Sequence, residues 1–292
     1  IFALMTNCLV FFLRGGLNVL ITNPRDMEGF VKELGNWQFS VITGVNTLYN
    51  GLLHTPGFGE LDFSKLKVVL GGGTAIQEAV STHFKDVTGM HIKEGYGLSE
   101  TSPLVTINPI KMMRFTNSIG VPVPSTDVSI RDDVNREMPV GEPGELCVKG
   151  PQVMRGYWRQ PEATAAVMTE DGYFRTGDIA LMTEEGFFRI VDRKKDMVLV
   201  SGFNVYPNEI ETVMAGMDGA LESACIGVPD DHSGEAVKLF VVRAEGAEIA
   251  VGDVETYCRE NLTAYKVPKY IEFIDALPKT PVGKILRREL RD

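Results

Sequence analysis

The chain has 292 residues, 44% hydrophobic and 23% charged, an ordinary composition for a soluble globular protein of one or two domains with a sizeable core. Its 39 acidic residues outnumber 29 basic ones, giving a formal net charge of -10. That balance excludes nonspecific nucleic-acid binding, which needs a basic face; an anionic ligand would bind only where a few cations or a metal reverse the field.

Ile1–Leu13 (IFALMTNCLVFFL) lacks a basic leader region and is shorter than the ~20 residues that span a bilayer. It reads as a buried helix followed by a strand at Asn18–Ile21. A start inside an apolar segment, with no initiator Met, predicts that these residues are the back part of something longer. Val45–Leu53 (VNTLYNGLL) has apolar residues at helical spacing, which fits core packing or the wall of an apolar tunnel.

Leu66–Leu70 (LKVVL) is a continuous apolar run, as in a strand buried on both faces, and it ends at Gly71-Gly72-Gly73. The T-x-x-Q of Thr74 and Gln77 predicts a capping box opening a helix, with Ile76, Val80, Phe84 and Val87 on one side and Gly89 at its end. His91–Glu94 is the next strand, running into the turn Gly95–Glu100. The alternation predicts an α/β fold with a mostly parallel sheet over residues 1–117 and ligand-facing loops at the strand ends.

From 118 to 192 the texture changes to short strands, Asp127–Arg131, Gly144–Lys149, Gly177–Thr183 and Phe187–Val191, punctuated by turns such as Glu184-Glu185-Gly186. This predicts a small β-barrel subdomain. Residues 193–292 read as a small α+β domain. Its elements are a helix at Pro207–Met214, strands at Glu222–Val228 and Ala236–Arg243, a helix around Val254–Leu262, a strand at Tyr270–Ile274 and a C-terminal helix from Lys284.

Cys8, Cys147, Cys225 and Cys258 are scattered without a CxxC pair, which predicts reduced, mostly buried thiols and a cytoplasmic location. His54, His83, His91 and His232 have no metal-ligand spacing.

Five stretches carry possible chemistry. In Glu94–Thr101 (EGYGLSET), the glycines allow close backbone approach and Tyr96 can offer its ring to a planar base. Ser99 can donate to a phosphate oxygen, and Glu100 can ligate Mg²⁺; the alternative is a tight turn whose Ser99 and Glu100 only cap a helix. In Tyr173–Asp178 (YFRTGD), Asp178 can accept two ribose hydroxyls or simply close a hairpin. Arg193, in the string DRKKD, can meet ribose or phosphate or belong to a solvated linker. Ser201–Pro207 (SGFNVYP) can line a narrow channel or merely turn the chain before Pro207 opens a helix. In Thr280–Lys284, Lys284 is framed by Gly and Pro, whereas Arg287, Arg288 and Arg291 read as the solvated face of the last helix.

The order of these stretches, GGG, YGLSE, GELCVKGPQVMRGYW, RTGD, VDRKKDMVLVSGFNVYPNEIE and PVGKILRREL, resembles the acyl-adenylate-forming (AMP-binding) superfamily over essentially the whole chain. Within it, the wording is most similar to the bacterial long-chain fatty-acid–CoA ligases. The resemblance implies that a fatty acid and Mg²⁺-ATP give an acyl-adenylate and pyrophosphate, from which CoA displaces AMP. It implies that Tyr96 stacks on adenine beside Gly71, Gly72 and Gly73, with Gly97 in the same turn. Ser99 would hold the α-phosphate, Glu100 would ligate Mg²⁺, Asp178 would take the ribose hydroxyls and Arg193 the ribose-phosphate region. Lys284 would bridge the carboxylate and α-phosphate, a cation aimed at developing charge. Lys195 would be the hinge of a mobile C-terminal domain, and Gly202 would line the pantetheine tunnel. Peripheral contact with the inner membrane and a homodimer are both compatible with the resemblance, although no basic amphipathic helix is evident.

One expected feature departs. Such ligases carry a Ser/Thr/Gly-rich phosphate loop with a lysine upstream of the tyrosine turn, and none occurs in these residues. About half of the complete enzyme is therefore expected to lie outside this sequence, and the 292 residues alone are expected to be inactive in adenylation.

Overall fold

The computed structural model describes residues 1–280 and 285–291. It divides into two compact units, Ile1–Thr176 with Ala180–Ile190 and Gly177–Ile179 with Val191–Asp292.

The first unit opens with a π-helical stretch, Leu4–Leu9, that continues into α1 (Val10–Leu13). The expected helix forms, but none of its residues is buried, and Phe12 and Leu13 are 81% and 82% exposed. The strand expected at Asn18–Ile21 does not form; Leu17 and Leu20 are exposed, and no ladder partner lies beside them among the described residues. A strand needs a neighbour for its backbone groups, and apolar sequence does not supply one.

α2 (Met27–Leu34) is capped by Asp26, whose Oδ1 accepts the Gly29 N–H at 2.9 Å. Then β1 (Val41–Gly44), α3 (Asn46–Leu53), β2 (Val68–Gly71), α4 (Glu78–Thr88) and β3 (Lys93–Gly97) alternate, and the three strands pair in parallel. Two antiparallel strands, β4 (Leu104–Ile107) and β5 (Val121–Pro122), extend the sheet in the order β1-β2-β3-β4-β5. Tyr49 and Leu52 on α3 are fully buried, and Tyr49 meets the Phe84 ring edge-on at 5.1 Å, so this face of the helix is core. The Tyr49 hydroxyl donates to the Leu70 carbonyl at 2.5 Å, and burial pushes that phenol far up.

Two local expectations are corrected. α4 starts at Glu78, not Thr74, and Gln77 is extended with its N–H bonded to Asn46 Oδ1 at 3.0 Å. The reason is Ile76, which is buried beneath Gly71; a Cβ on Gly71 would stand 2.6 Å from it, and a helix from Thr74 would not deliver Ile76 there. β3 begins at Lys93 and runs through Gly97, because Gly95 and Tyr96 pair with Ile107 and Thr106 of β4. The glycine turn is therefore largely strand.

β6 (Asp127–Arg131), β7 (Gly144–Lys149), β8 (Phe174–Met182) and β9 (Phe188–Arg193) follow, with α5 (Pro161–Val167) between β7 and β8. They pair in the order β6-β7-β8-β9 as one four-stranded sheet where a small barrel-like subdomain is expected, and no closed barrel forms among the described residues. A bridge between Gly120 and Phe188 stitches its last strand to the segment before β5. Val105, Ile119, Ile130, Leu146, Val148, Ala180 and Phe188 form the core there, with Tyr96 packed against it.

The second unit is built on a sheet ordered β11-β10-β13-β12, made of β10 (Val198–Val200), β11 (Phe203–Val205), β12 (Ala220–Asp230) and β13 (Gly234–Arg243), with β14 (Tyr270–Phe273) parallel to β13. α6 (Pro207–Met214) and α7 (Val251–Asn261) contribute Ile210, Met214, Val254 and Cys258 to a core with Cys225, Leu239 and Val241. A second cluster, around Ala224, Ile226, Phe240 and Val242, is covered by Leu277, Ile285 and Leu290. The helix expected from Lys284 is, among the described residues, only a 3-10 turn over Arg287–Leu290. Nor do its arginines form one solvated face: Arg288 is exposed, whereas the Arg287 side chain is only 15% exposed among carboxylates.

Cys147, Cys225 and Cys258 are buried free thiols and Cys8 is half-buried. No helix among the described residues is long and apolar enough to cross a membrane.

Candidate active site

In the first unit, the register Leu70↔Lys93 and Gly71↔Glu94 sets the two glycine stretches side by side at the ends of neighbouring parallel strands. Open α/β sheets place ligands at that edge. The Gly72 N–H donates to the Gly44 carbonyl at 3.2 Å, and a Cβ on Gly72 would stand 3.3 Å from the Gly95 carbonyl oxygen. Gly73 has φ +80°, which a residue with a side chain rarely adopts. At Gly97 any side chain would collide with the Pro103 carbonyl.

The Tyr96 ring is half-buried against the core of the four-stranded sheet, which fixes where it stands. Ser99 is exposed and Glu100 half-buried in the 3-10 turn Ser99–Thr101. Buried Thr101 holds that turn: its Oγ1 accepts the Leu98 N–H at 2.9 Å and donates to the Pro103 carbonyl at 2.6 Å. The Glu100 backbone carbonyl accepts the Met154 N–H at 2.7 Å, and its Oε1 accepts the Tyr157 hydroxyl at 3.0 Å. Burial, then the hydrogen bond and charge of Glu100, push the Tyr157 phenol up, so it stays a donor.

In the second unit, Asp178 on β8 is buried, and its Oδ1 lies 3.5 Å from Arg193 Nε on neighbouring β9. Lys195 is exposed in the 3-10 turn Lys194–Asp196, and Gly202, exposed at φ +84°, turns the chain between β10 and β11. Lys284 lies outside the described residues. The candidate residues thus gather in two groups, Gly71–Gly73 with Tyr96–Glu100 in one unit and Asp178 with Arg193 in the other.

Among the described residues no cluster of three His, Cys, Asp or Glu side chains could hold a metal. Mg²⁺ bound together with waters and phosphate oxygens takes only one or two carboxylates from a protein. Glu100, half-buried and oriented by Tyr157, is suited to be one of them.

Two residues of the first group escape a reading of the sequence. Tyr157 stands 57 positions from Glu100; the signal was the glycine before it, since a Cβ on Gly156 would press on Thr164. Glu94 is the other: burial pushes its carboxyl up to about 8, against a hydrogen bond from the Ile76 N–H. Its strand position concealed a half-buried acid.

A family model described as AMP-binding enzyme matches residues 1–158, and one described as AMP-binding enzyme C-terminal domain matches residues 209–284. A long-chain-fatty-acid–CoA ligase of Yersinia pestis is 59% identical over 292 residues, covering 100% of this chain and 52% of that protein. The chain thus spans about half the length of the curated relatives it matches. Among solved structures, ATP-bound MatB of Rhodopseudomonas palustris superposes with a TM-score of 0.87 at 33% identity, covering 97% of this chain and 56% of that one. The o-succinylbenzoate CoA synthetase MenE of Bacillus subtilis, in complex with its acyl-adenylate OSB-AMP, gives 0.83 at 26% identity over 97% of this chain and 57% of that one. On the reach of the first match and the order of its loops, the chain belongs to the AMP-binding enzyme family.

Proposed function

We propose that the protein containing these residues is a long-chain fatty acid–CoA ligase that works through an acyl-adenylate. In the first step a fatty carboxylate attacks the α-phosphorus of ATP; the acyl-adenylate forms and pyrophosphate leaves. In the second, the CoA thiol attacks the acyl carbonyl, giving acyl-CoA and AMP. The observation that carries the reading is the register Gly71↔Glu94, which sets a glycine loop beside the tyrosine turn at a sheet edge. The choice of a long-chain acid rests on the likeness to ligases of that name.

In this reading the Gly71–Gly73 backbone and the Tyr96 ring hold adenine, and Ser99 donates to the α-phosphate. Glu100 ligates Mg²⁺, whose bound form neutralises phosphate charge. Asp178 accepts from the ribose hydroxyls, with the Arg193 guanidinium beside it contributing a charge near the phosphate. Lys284 places its ammonium on the carboxylate and α-phosphate oxygens during the first step. The C-terminal unit turns about Lys195 between the steps, after which Gly202 borders the passage for the pantetheine arm.

The test uses the full-length chain, with long-chain, short-chain and aromatic acids offered separately. Fatty-acid-dependent exchange of pyrophosphate into ATP, lost in Lys284→Ala, is the expected result. Exchange that prefers an aromatic acid would move the protein to another branch of the family, and exchange undiminished in Lys284→Ala would remove that lysine from the reaction.

A further inference from the structure

The turn between β10 and β11 is held from outside its own hairpin. Its two tip residues, Ser201 at φ +52° and Gly202 at φ +84°, are both left-handed, as a tight two-residue hairpin requires. Glycine adopts that backbone freely, whereas serine does so against its Cβ. The hairpin pairs over only three positions, too few to fix its tip alone. The turn joining β12 to β13 supplies the rest: the Ser201 N–H donates to the Ser233 carbonyl at 2.8 Å. The Leu199 N–H donates to Glu235 Oε2 at 2.7 Å, and between the two bonds Val200 pairs with Gly234.

One carboxylate organises that bracing turn. Asp230 Oδ1 accepts the Ser233 hydroxyl at 2.8 Å, the Ser233 N–H at 3.0 Å and the His232 N–H at 3.1 Å. Its Oδ2 accepts Lys269 Nζ and, at 3.3 Å, the Tyr270 hydroxyl. Lys269 first, then the donors of Ser233, hold this carboxyl well below the usual carboxylate range, so it remains an acceptor at neutral pH. The segment carrying Lys269 also reaches the hairpin directly, since the Tyr265 ring stacks on Phe203 with centroids 4.8 Å apart. Gly202 itself is left open: a Cβ there would meet no described atom within 4 Å. Its backbone calls for glycine, and the space beside it is free for a ligand.

We propose that Asp230 is a positioning residue for thioester formation: through Ser233, and with Glu235 beside it, it sets where Gly202 stands. This rests on the reading above, in which Gly202 borders the pantetheine passage, and adds the residues that fix that border. Asp230 touches no substrate. A misplacement of about 1 Å near reacting groups costs up to about 100-fold in rate. A loosened brace therefore slows attack by the CoA thiol and spares adenylation, in which Gly202 takes no part.

The test compares Asp230→Ala, Asp230→Asn, Glu235→Ala and Gly202→Leu with the unchanged protein, all as full-length chains. Pyrophosphate exchange reads the first half-reaction, and acylation of CoA from supplied acyl-adenylate reads the second. Asp230→Ala is expected to lower kcat/KM for CoA by about tenfold, with exchange within about twofold. Asp230→Asn keeps an oxygen for Ser233 and His232, and is expected to recover to within about threefold of the unchanged protein. Glu235→Ala, which removes the bond to Leu199, gives the same one-sided loss at about threefold. Loss of folded protein would lower both assays together. Equal losses, a loss confined to exchange, no loss, or an asparagine variant no better than alanine overturns the brace. Should Asp230→Ala not fold, Glu235→Ala decides on the same criterion. If Gly202→Leu leaves CoA acylation undiminished, the underlying reading fails. If it abolishes acylation while the Asp230 and Glu235 variants match the unchanged protein, only the brace fails.

Discussion

Arg193 Nε lies 3.5 Å from Asp178 Oδ1, joining across two neighbouring strands residues that are 15 positions apart in sequence. A buried carboxylate beside a guanidinium is a ready acceptor for a diol. In the full-length chain Asp178→Ala is expected to raise the Kd for AMP by about 30- to 100-fold, the equivalent of one or two charge-assisted hydrogen bonds at about 2–3 kcal/mol in all. Calorimetric titration with AMP checks this; unchanged affinity would place the ribose elsewhere.

Tyr157 is expected to act through Glu100 rather than on the substrate. Tyr157→Phe removes the 3.0 Å hydrogen bond and leaves the ring in place. The expected outcome is a rise of about three- to tenfold in the Mg²⁺ concentration needed for half-maximal exchange, with KM for ATP at saturating Mg²⁺ unchanged. Global stability should fall by no more than about 1.5 kcal/mol. A magnesium titration of both proteins separates this from a role in folding alone.

Tyr49 braces the glycine loop from below through its bond to the Leu70 carbonyl. Tyr49→Phe should cost about 1–2 kcal/mol, read as a lower urea midpoint with unchanged slope. Tyr49→Ala, which also empties a fully buried site against Phe84, should cost about 3–5 kcal/mol.

How much of the fold is legible in the sequence follows from the range of the interactions. β6, β7 and α6 stand at the bounds expected from sequence, because turn residues and alternating or helical burial are local signals. The strand through Gly97 was not legible, since its pairing with β4 is nonlocal and glycines argue for a turn. The delayed start of α4 was hidden because the T-x-x-Q box competes with the burial of Ile76, and burial wins. The helix of Ile1–Leu13 was visible in its apolar run, yet its exposure was not, because hydrophobicity does not state what covers a face. Motif order named Tyr96, Asp178 and Arg193 as candidates, while the contact of Tyr157 with Glu100 depends on a partner 57 residues away.

Glu94 and Asp192 give stability a definite dependence on pH. Burial raises Glu94 from an ordinary 4.5 to about 8 and Asp192 from 3.8 to about 6. Both folded values exceed the unfolded ones, so between each pair of values the native state holds more protons and stability falls as pH rises. For Glu94 that window runs from 4.5 to about 8, with a slope of at most about 1.4 kcal/mol per pH unit. Glu94→Gln should therefore flatten the decline between pH 6 and 8, beyond the Asp192 window, in denaturation midpoints taken across about four pH values. An equal decline in the variant would show that Glu94 titrates normally.

A ligase that forms an acyl-adenylate is recognised by its products. The full-length chain is given ATP, Mg²⁺, CoA and a long-chain fatty acid, and nucleotide and acyl products are counted together. One AMP and one pyrophosphate are expected for each acyl-CoA formed, with pyrophosphate exchange into ATP requiring fatty acid but not CoA. Release of ADP and phosphate, or exchange indifferent to fatty acid, would contradict it.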